Sequence, residues 1–213
     1  MSVRRLTPML CAMALTASPG AAQIAPGLSG KSTTSTFGGS EAWNTLSDFG
    51  SCYAWTQRSN AIALVSTRGG SADEAALYKR LFSKPYQSCL SLASELRFDH
   101  SMVRGAIAEG LYQKAVPVPA TLAVTAAPAV ESVRNLGDAA LCYAVRNRAK
   151  VQALLSSTKL GSKEEAEAVQ KLLPELSNCI PVGAKKVSLS YPLLRTKLAE
   201  AMWRLNAFAQ AAK

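Results

Sequence analysis

Apolar positions recur at helical spacing through most of the 213-residue chain, and runs of β-branched residues are scarce. The pattern therefore predicts helices. "CYAWTQRSNAIALVST" at 52–67 and "CYAVRNRAKVQALLSS" at 142–157 each open on a cysteine and continue as an amphipathic helix. Asp48 and Asp138 stand just ahead of them, where N-caps belong. A second helix is predicted after Ser71-Ala-Asp-Glu74 and again after Ser162-Lys-Glu-Glu165. Both are capping boxes, in which the serine accepts from a backbone amide and the glutamate reaches back. In the later one Val169, Leu172, Leu173, Leu176 and Cys179 make one apolar stripe. Pro85 and Pro174 near the ends of these helices predict a kink or a break into a final turn. A third helix follows Asp99, and again Ser190. Its apolar positions are Val103, Ile107 and Leu111 in one case and Leu194, Leu198 and Met202 in the other.

The two series run in parallel. The cysteine-led helices align at an offset of 90 positions, and Cys52 to Cys89 spans 37 positions, as does Cys142 to Cys179. Further on, "VRGAIAEGLY" at 103–112 matches "LRTKLAEAMW" at 194–203, except that Thr196 and Lys197 stand where Gly105 and Ala106 are expected. An internal duplication follows. The expected architecture is all-α, with two tandem three-helix repeats over 48–114 and 135–213. A Pro/Ala linker at 115–134 joins them, and a flexible Gly/Ser/Thr-rich lead at 23–47 precedes them. Trp43, within that lead, is expected to dock on the core.

The first 22 residues read as a signal peptide. "MSVRR" is a basic n-region, "LTPMLCAMALTA" is apolar but too short to span a bilayer, and "SPGAA" supplies small residues before a cleavage site after Ala22. No later stretch is long and apolar enough for a transmembrane helix, so the expected location is periplasmic or secreted. Export settles the cysteines. Cys11 leaves with the signal peptide, and Cys52, Cys89, Cys142 and Cys179 remain to form two disulfides in an oxidising compartment. The midpoint between the cysteines of each series falls in a turn, "TRGGS" at 67–71 and "TKLGS" at 158–162. A turn halfway along puts both sulfurs at the open end of a hairpin, which selects Cys52–Cys89 and Cys142–Cys179. Closing each loop would stabilise the fold by about 4 kcal/mol.

Charge and chemistry add less. The chain carries 24 bases against 14 acids. Losing Arg4 and Arg5 with the signal peptide leaves a net charge of about +8, which suits an anionic partner or simple solubility. His100 is the single histidine, no C-x-x-C occurs, and phosphate-binding or nucleophile-elbow motifs are absent. No metal, cofactor or catalytic residue is expected, and no nucleic-acid motif accompanies the basic stretches at 146–150 and 183–190. The candidate constellation is Arg104 with Glu109, matched by Arg195 with Glu200. Five residues apart on a helix, the members of each pair face about 140° away from one another and need partners on other elements.

The signal peptide, the "CYA" helix, the second cysteine 37 positions on and "RGAIAEGLY" at 104–112 together resemble a group of small secreted alphaproteobacterial proteins of unassigned activity. That resemblance implies export and duplication and transfers no catalytic residue. The expected function is a non-enzymatic periplasmic or envelope binding module, with an envelope protein or an anionic polymer as partner. The alternative is a hydrolase of cell-wall or surface polysaccharide using Glu109 or Glu200.

Overall fold

The structure is a computed structural model that describes residues 28–30, 40–83, 89, 98–117, 129–181 and 187–211. Pro85 and the segments 1–22 and 182–186 lie outside them. Eight α-helices carry the fold among the described residues: α1 Ser40–Thr56, α2 Arg58–Ser66, α3 Ala72–Ser83, α4 His100–Gln113, α5 Leu136–Arg146, α6 Arg148–Ser157, α7 Lys163–Leu176 and α8 Tyr191–Ala211. One short parallel ladder pairs β1, Leu28–Gly30, with β2, Val187–Leu189. No helix of the described residues is long and apolar enough to cross a membrane.

Both disulfides have the expected pairing. Cys52 is bonded to Cys89 and Cys142 to Cys179, with Cα separations of 5.5 and 5.8 Å. The helix caps also fall largely where the side chains dictate. Asp99 accepts from the Ser101 amide at 2.7 Å and Ser190 from the Leu193 amide at 3.3 Å, opening α4 and α8. Ser71 and Ser162 accept from the amides of Glu74 and Glu165 at 3.2 and 3.1 Å. Pro174 lies inside α7, which ends two residues later and passes into a 3-10 turn over Ser177–Cys179.

Three expectations need correction. The helix opening near Asp48 instead begins at Ser40, inside the stretch read as a flexible lead. Trp43, Leu46, Phe49 and Tyr53 form a buried stripe along α1, and that burial outweighs the glycine-serine composition just before it. Asp138 does not cap α5. Asn135 does, accepting from the Asp138 amide at 3.0 Å, while Asp138 accepts from the Arg134 amide. Each cysteine-led helix is also two helices. The chain bends at Gln57 and Asn147, where φ is −123° and −128°. Asn147 is a poor helix-interior residue because its amide competes for backbone groups; Gln57 carries no such local signal. The Pro/Ala linker includes a 3-10 turn at Val130–Ser132.

Two apolar clusters form the core. One gathers side chains of α5, α6, α7 and α8. The other gathers α1 to α4 and takes in Leu160 and Trp203 from the second half of the chain. The Trp203 indole is fully buried, and its N–H donates to the Val116 carbonyl at 3.2 Å. Helices α4 and α8 pack against one another, so the two halves make one body.

Candidate functional site

The α4–α8 crossing brings the four candidate side chains together in exchanged pairs. Arg104 and Glu109 share α4 but do not meet; Arg195 and Glu200 share α8 and do not meet either. Arg104 Nη2 instead donates to Glu200 Oε1 at 2.8 Å. Arg195 donates to both oxygens of Glu109, from Nη2 at 2.7 Å and Nε at 3.1 Å. Each arginine thus crosses to the glutamate of the other half, and each is only 1% exposed.

The rest of each guanidinium closes the end of a helix. The last carbonyls of an α-helix have no partner within it. Arg104 supplies one, donating to Leu64, Val65 and Thr67 carbonyls at 2.9, 2.7 and 2.7 Å, and to the Thr67 hydroxyl at 2.9 Å. Arg195 does the same for Leu154, Leu155 and Thr158 carbonyls at 3.3, 3.3 and 3.1 Å, and for the Thr158 hydroxyl. The capping-box glutamates complete both networks. Glu74 lies 3.1 Å from Arg104 and Glu165 3.9 Å from Arg195. Their second oxygens accept from the amides of Gly70 and Gly161, at 2.6 and 2.5 Å. Both glycines hold φ of +76°, a turn conformation that L side chains resist. In the sequence Glu74 and Glu165 read as caps alone, and nothing local singles out Thr67 and Thr158, whose hydroxyls accept from the arginines.

Electrostatics separates the two networks. At Arg104, burial works to raise the Glu200 pKa, but Arg104 and then Lys197 and Arg204 outweigh it and hold the carboxyl below its usual range. Burial works the other way on Arg104, yet Glu200 and Glu74 keep its guanidinium more firmly protonated than usual. At Arg195, the single guanidinium faces two acids and is taken mainly by Glu109. Burial therefore wins at Glu165, pushing its carboxyl from an ordinary 4.5 to about 7, with Glu109 adding to the rise while Arg195 and the Gly161 amide oppose it. One Glu165 oxygen has no hydrogen-bond partner. A raised carboxylate pKa means the folded protein binds the proton more tightly than the unfolded chain. The stability that Glu165 contributes is then complete below about 4.5 and lost as pH climbs through about 7. Urea unfolding across that window is expected to show the advantage of the native protein over Glu165→Gln shrinking as pH rises. A difference independent of pH would refute the assignment.

Beside the Arg104 network a cleft of about 910 Å³ opens to solvent. Its walls are the turn at Arg68–Gly70, the first turn of α4 and the segment Arg134–Asp138 that starts α5; Leu141, Leu193 and Ala201 add apolar surface. Helix N-termini at α3, α4 and α5 thus converge on it, each the positive end of a helix dipole. Four acids line it, and all are engaged. Glu74 and Glu200 hold Arg104, Asp99 caps α4 and Asp138 accepts from Arg134. Arg68 and Arg134 stand exposed, and Lys197 and Arg204 flank Glu200 at 3.6 and 2.9 Å. His100 lines the same cleft and stacks on Tyr78, the ring centroids 4.2 Å apart. The Tyr78 hydroxyl donates to the His100 carbonyl, and burial followed by the Glu74 charge pushes its pKa well up.

Glu200 lines this cleft and Glu109 does not, so the two glutamates do not share it. Of the basic residues in the second half, Arg195 is buried, Lys197 and Arg204 reach the cleft, and Arg148 and Lys150 pair outside it with Asn206 and Glu175. No cluster of three or more metal-ligating side chains occurs among the described residues. No protein-family model, curated protein or solved structure matches the chain.

Proposed function

We propose that the chain is an exported, internally duplicated, non-enzymatic module that binds an anionic group of an envelope partner in the cleft beside Arg104. The observation that carries this reading is the cleft itself: an open concavity in which Arg68 and Arg134 stand exposed, while Glu74 and Glu200 are held by Arg104 and the exposed Asp99 and half-buried Asp138 accept from backbone amides. Two disulfides support passage through an oxidising compartment. Duplication is supported by the matching contacts of Arg104 and Arg195 with helix-end carbonyls, a threonine and a capping glutamate.

A polysaccharide hydrolase finds less support. General acid catalysis needs a carboxyl with a raised pKa facing the substrate, and Glu200 is held ionised while Glu109 is bonded to Arg195 through both oxygens. A fluorescein-labelled tetraglutamate peptide, followed by anisotropy at low salt, tests the binding reading. Saturable binding is expected, about tenfold weaker for Arg134→Glu and weaker again as salt is raised. Arg134 is exposed, so the melting temperature should not move. Absence of saturable binding, or binding indifferent to Arg134→Glu, would remove the cleft from consideration.

A further inference from the structure

The two turns that the arginines lock are alike in backbone and unlike in what covers them. Gly70 and Gly161 hold the same φ and donate to equivalent glutamates. Yet a methyl group built on Gly161 would meet the Trp43 ring at 2.2 Å, whereas one on Gly69 or Gly70 would meet nothing within 4 Å. Trp43 is 4% exposed in that seat, with Phe98 tilted against it at 5.5 Å between centroids. Leu160 of the covered turn is buried as well, whereas Arg68, Gly69 and Gly70 of the other turn are exposed.

The reason lies in what each half places ahead of its cysteine-led helix. Helix α1 extends back to Ser40 and so carries Trp43 onto the far turn. Helix α5 starts only at Leu136, and at the aligned offset of 90 the residue matching Trp43 is Val133. Valine cannot span what an indole fills, and the cleft is the remaining space, bounded by the Arg68–Gly70 turn on one side and Arg134–Asp138 on the other.

We infer that the cleft takes an aromatic side chain presented on an acidic peptide segment of a partner protein, the ring seated over Gly69–Gly70 as Trp43 is seated over Gly161. The inference rests on the anion-binding reading above and adds the ring to it. The apolar wall of Leu136, Leu141, Leu193 and Ala201 offers a ring the surface that a bare polyanion would leave uncovered. Acidic neighbours of the ring would then lie near the exposed Arg68 and Arg134 and away from the carboxylates of Asp99 and Asp138. A short, bounded cleft also suits one short segment better than a continuous polymer, which is read along an extended basic track.

Anisotropy with three labelled peptides tests it: Glu-Glu-Trp-Glu-Glu, the same with alanine for tryptophan, and Lys-Lys-Trp-Lys-Lys. The tryptophan peptide is expected to bind about thirty-fold more tightly than its alanine form, as buried aromatic anchors do at interfaces. The lysine peptide should not bind. Gly69→Trp, whose Cβ has open space and an ordinary φ, should fill the cleft and abolish binding without lowering the melting temperature. Equal affinity for the tryptophan and alanine peptides would overturn the aromatic seat and leave anion binding standing. Polyphosphate binding as tightly as the tryptophan peptide, and lost in Gly69→Trp, would overturn the peptide in favour of a polymer. Failure of every probe would overturn both readings together.

Discussion

Arg195→Ala should cost about 3–5 kcal/mol of folding stability, because it leaves the buried Glu109 carboxylate without its cation and removes the one guanidinium near Glu165. Glu109 is 5% exposed and Glu165 only 1%, and Arg195 is the base that faces both. The same truncation loosens the end of α6, whose Leu155 and Thr158 carbonyls lose the guanidinium, while Leu154 keeps the Thr158 hydroxyl. Arg104→Ala should cost less, about 2–4 kcal/mol. Glu200 would keep Lys197 and Arg204 as cationic neighbours, and it is also nearer to solvent, its side chain 13% exposed. Urea unfolding under non-reducing conditions gives both values, and the order matters as much as the size. A larger loss for Arg104→Ala would mean that the exchanged pairs are not the source of the energy. Lysine should rescue neither, since a single ammonium cannot span a carboxylate and several carbonyls at once.

Much of this was legible before any coordinates, because the sequence signals were local. Serine followed three positions on by glutamate marks a helix start wherever it occurs, and both serines cap as expected, while the glutamates take the glycine amide one residue earlier. Four cysteines placed symmetrically about two turns admit one economical pairing, and it is the one observed. The five-residue spacing of arginine and glutamate already required partners elsewhere. Which partners could not be read, since the exchange depends on how α4 and α8 cross. Helix α1 was missed at its start because "GGSEAW" has the composition of a lead, and only the burial of Trp43 and Leu46 reveals a helix. The cleft was invisible for a similar reason. It lies between the Arg68–Gly70 turn and the Arg134–Asp138 segment, stretches far apart in sequence that face one another only once both halves are folded.

The departure of Thr196 from Gly105 in the two aligned helices has its explanation in the crossing. A methyl group on Gly105 would lie 2.1 Å from Thr196 Cβ and 2.9 Å from its Cα. In the proposed duplication these are equivalent positions, and where two copies meet about a two-fold axis an equivalent position meets itself. Two threonines would overfill the contact and two glycines would leave it empty, so one of each fits. Gly105→Thr is therefore expected to cost about 3 kcal/mol, near the upper end for overpacked interiors, because the backbone of α8 and not only a side chain stands in the way. Thr196→Gly should cost about 1–2 kcal/mol through lost packing and the glycine penalty within a helix. Made together, the two substitutions exchange the residues across the axis and should recover about 2 kcal/mol relative to the sum of the single losses. Equilibrium unfolding of the three variants measures that coupling. Additive losses would show that α4 and α8 do not meet themselves at this point, and the case for a two-fold body would lose its strongest contact.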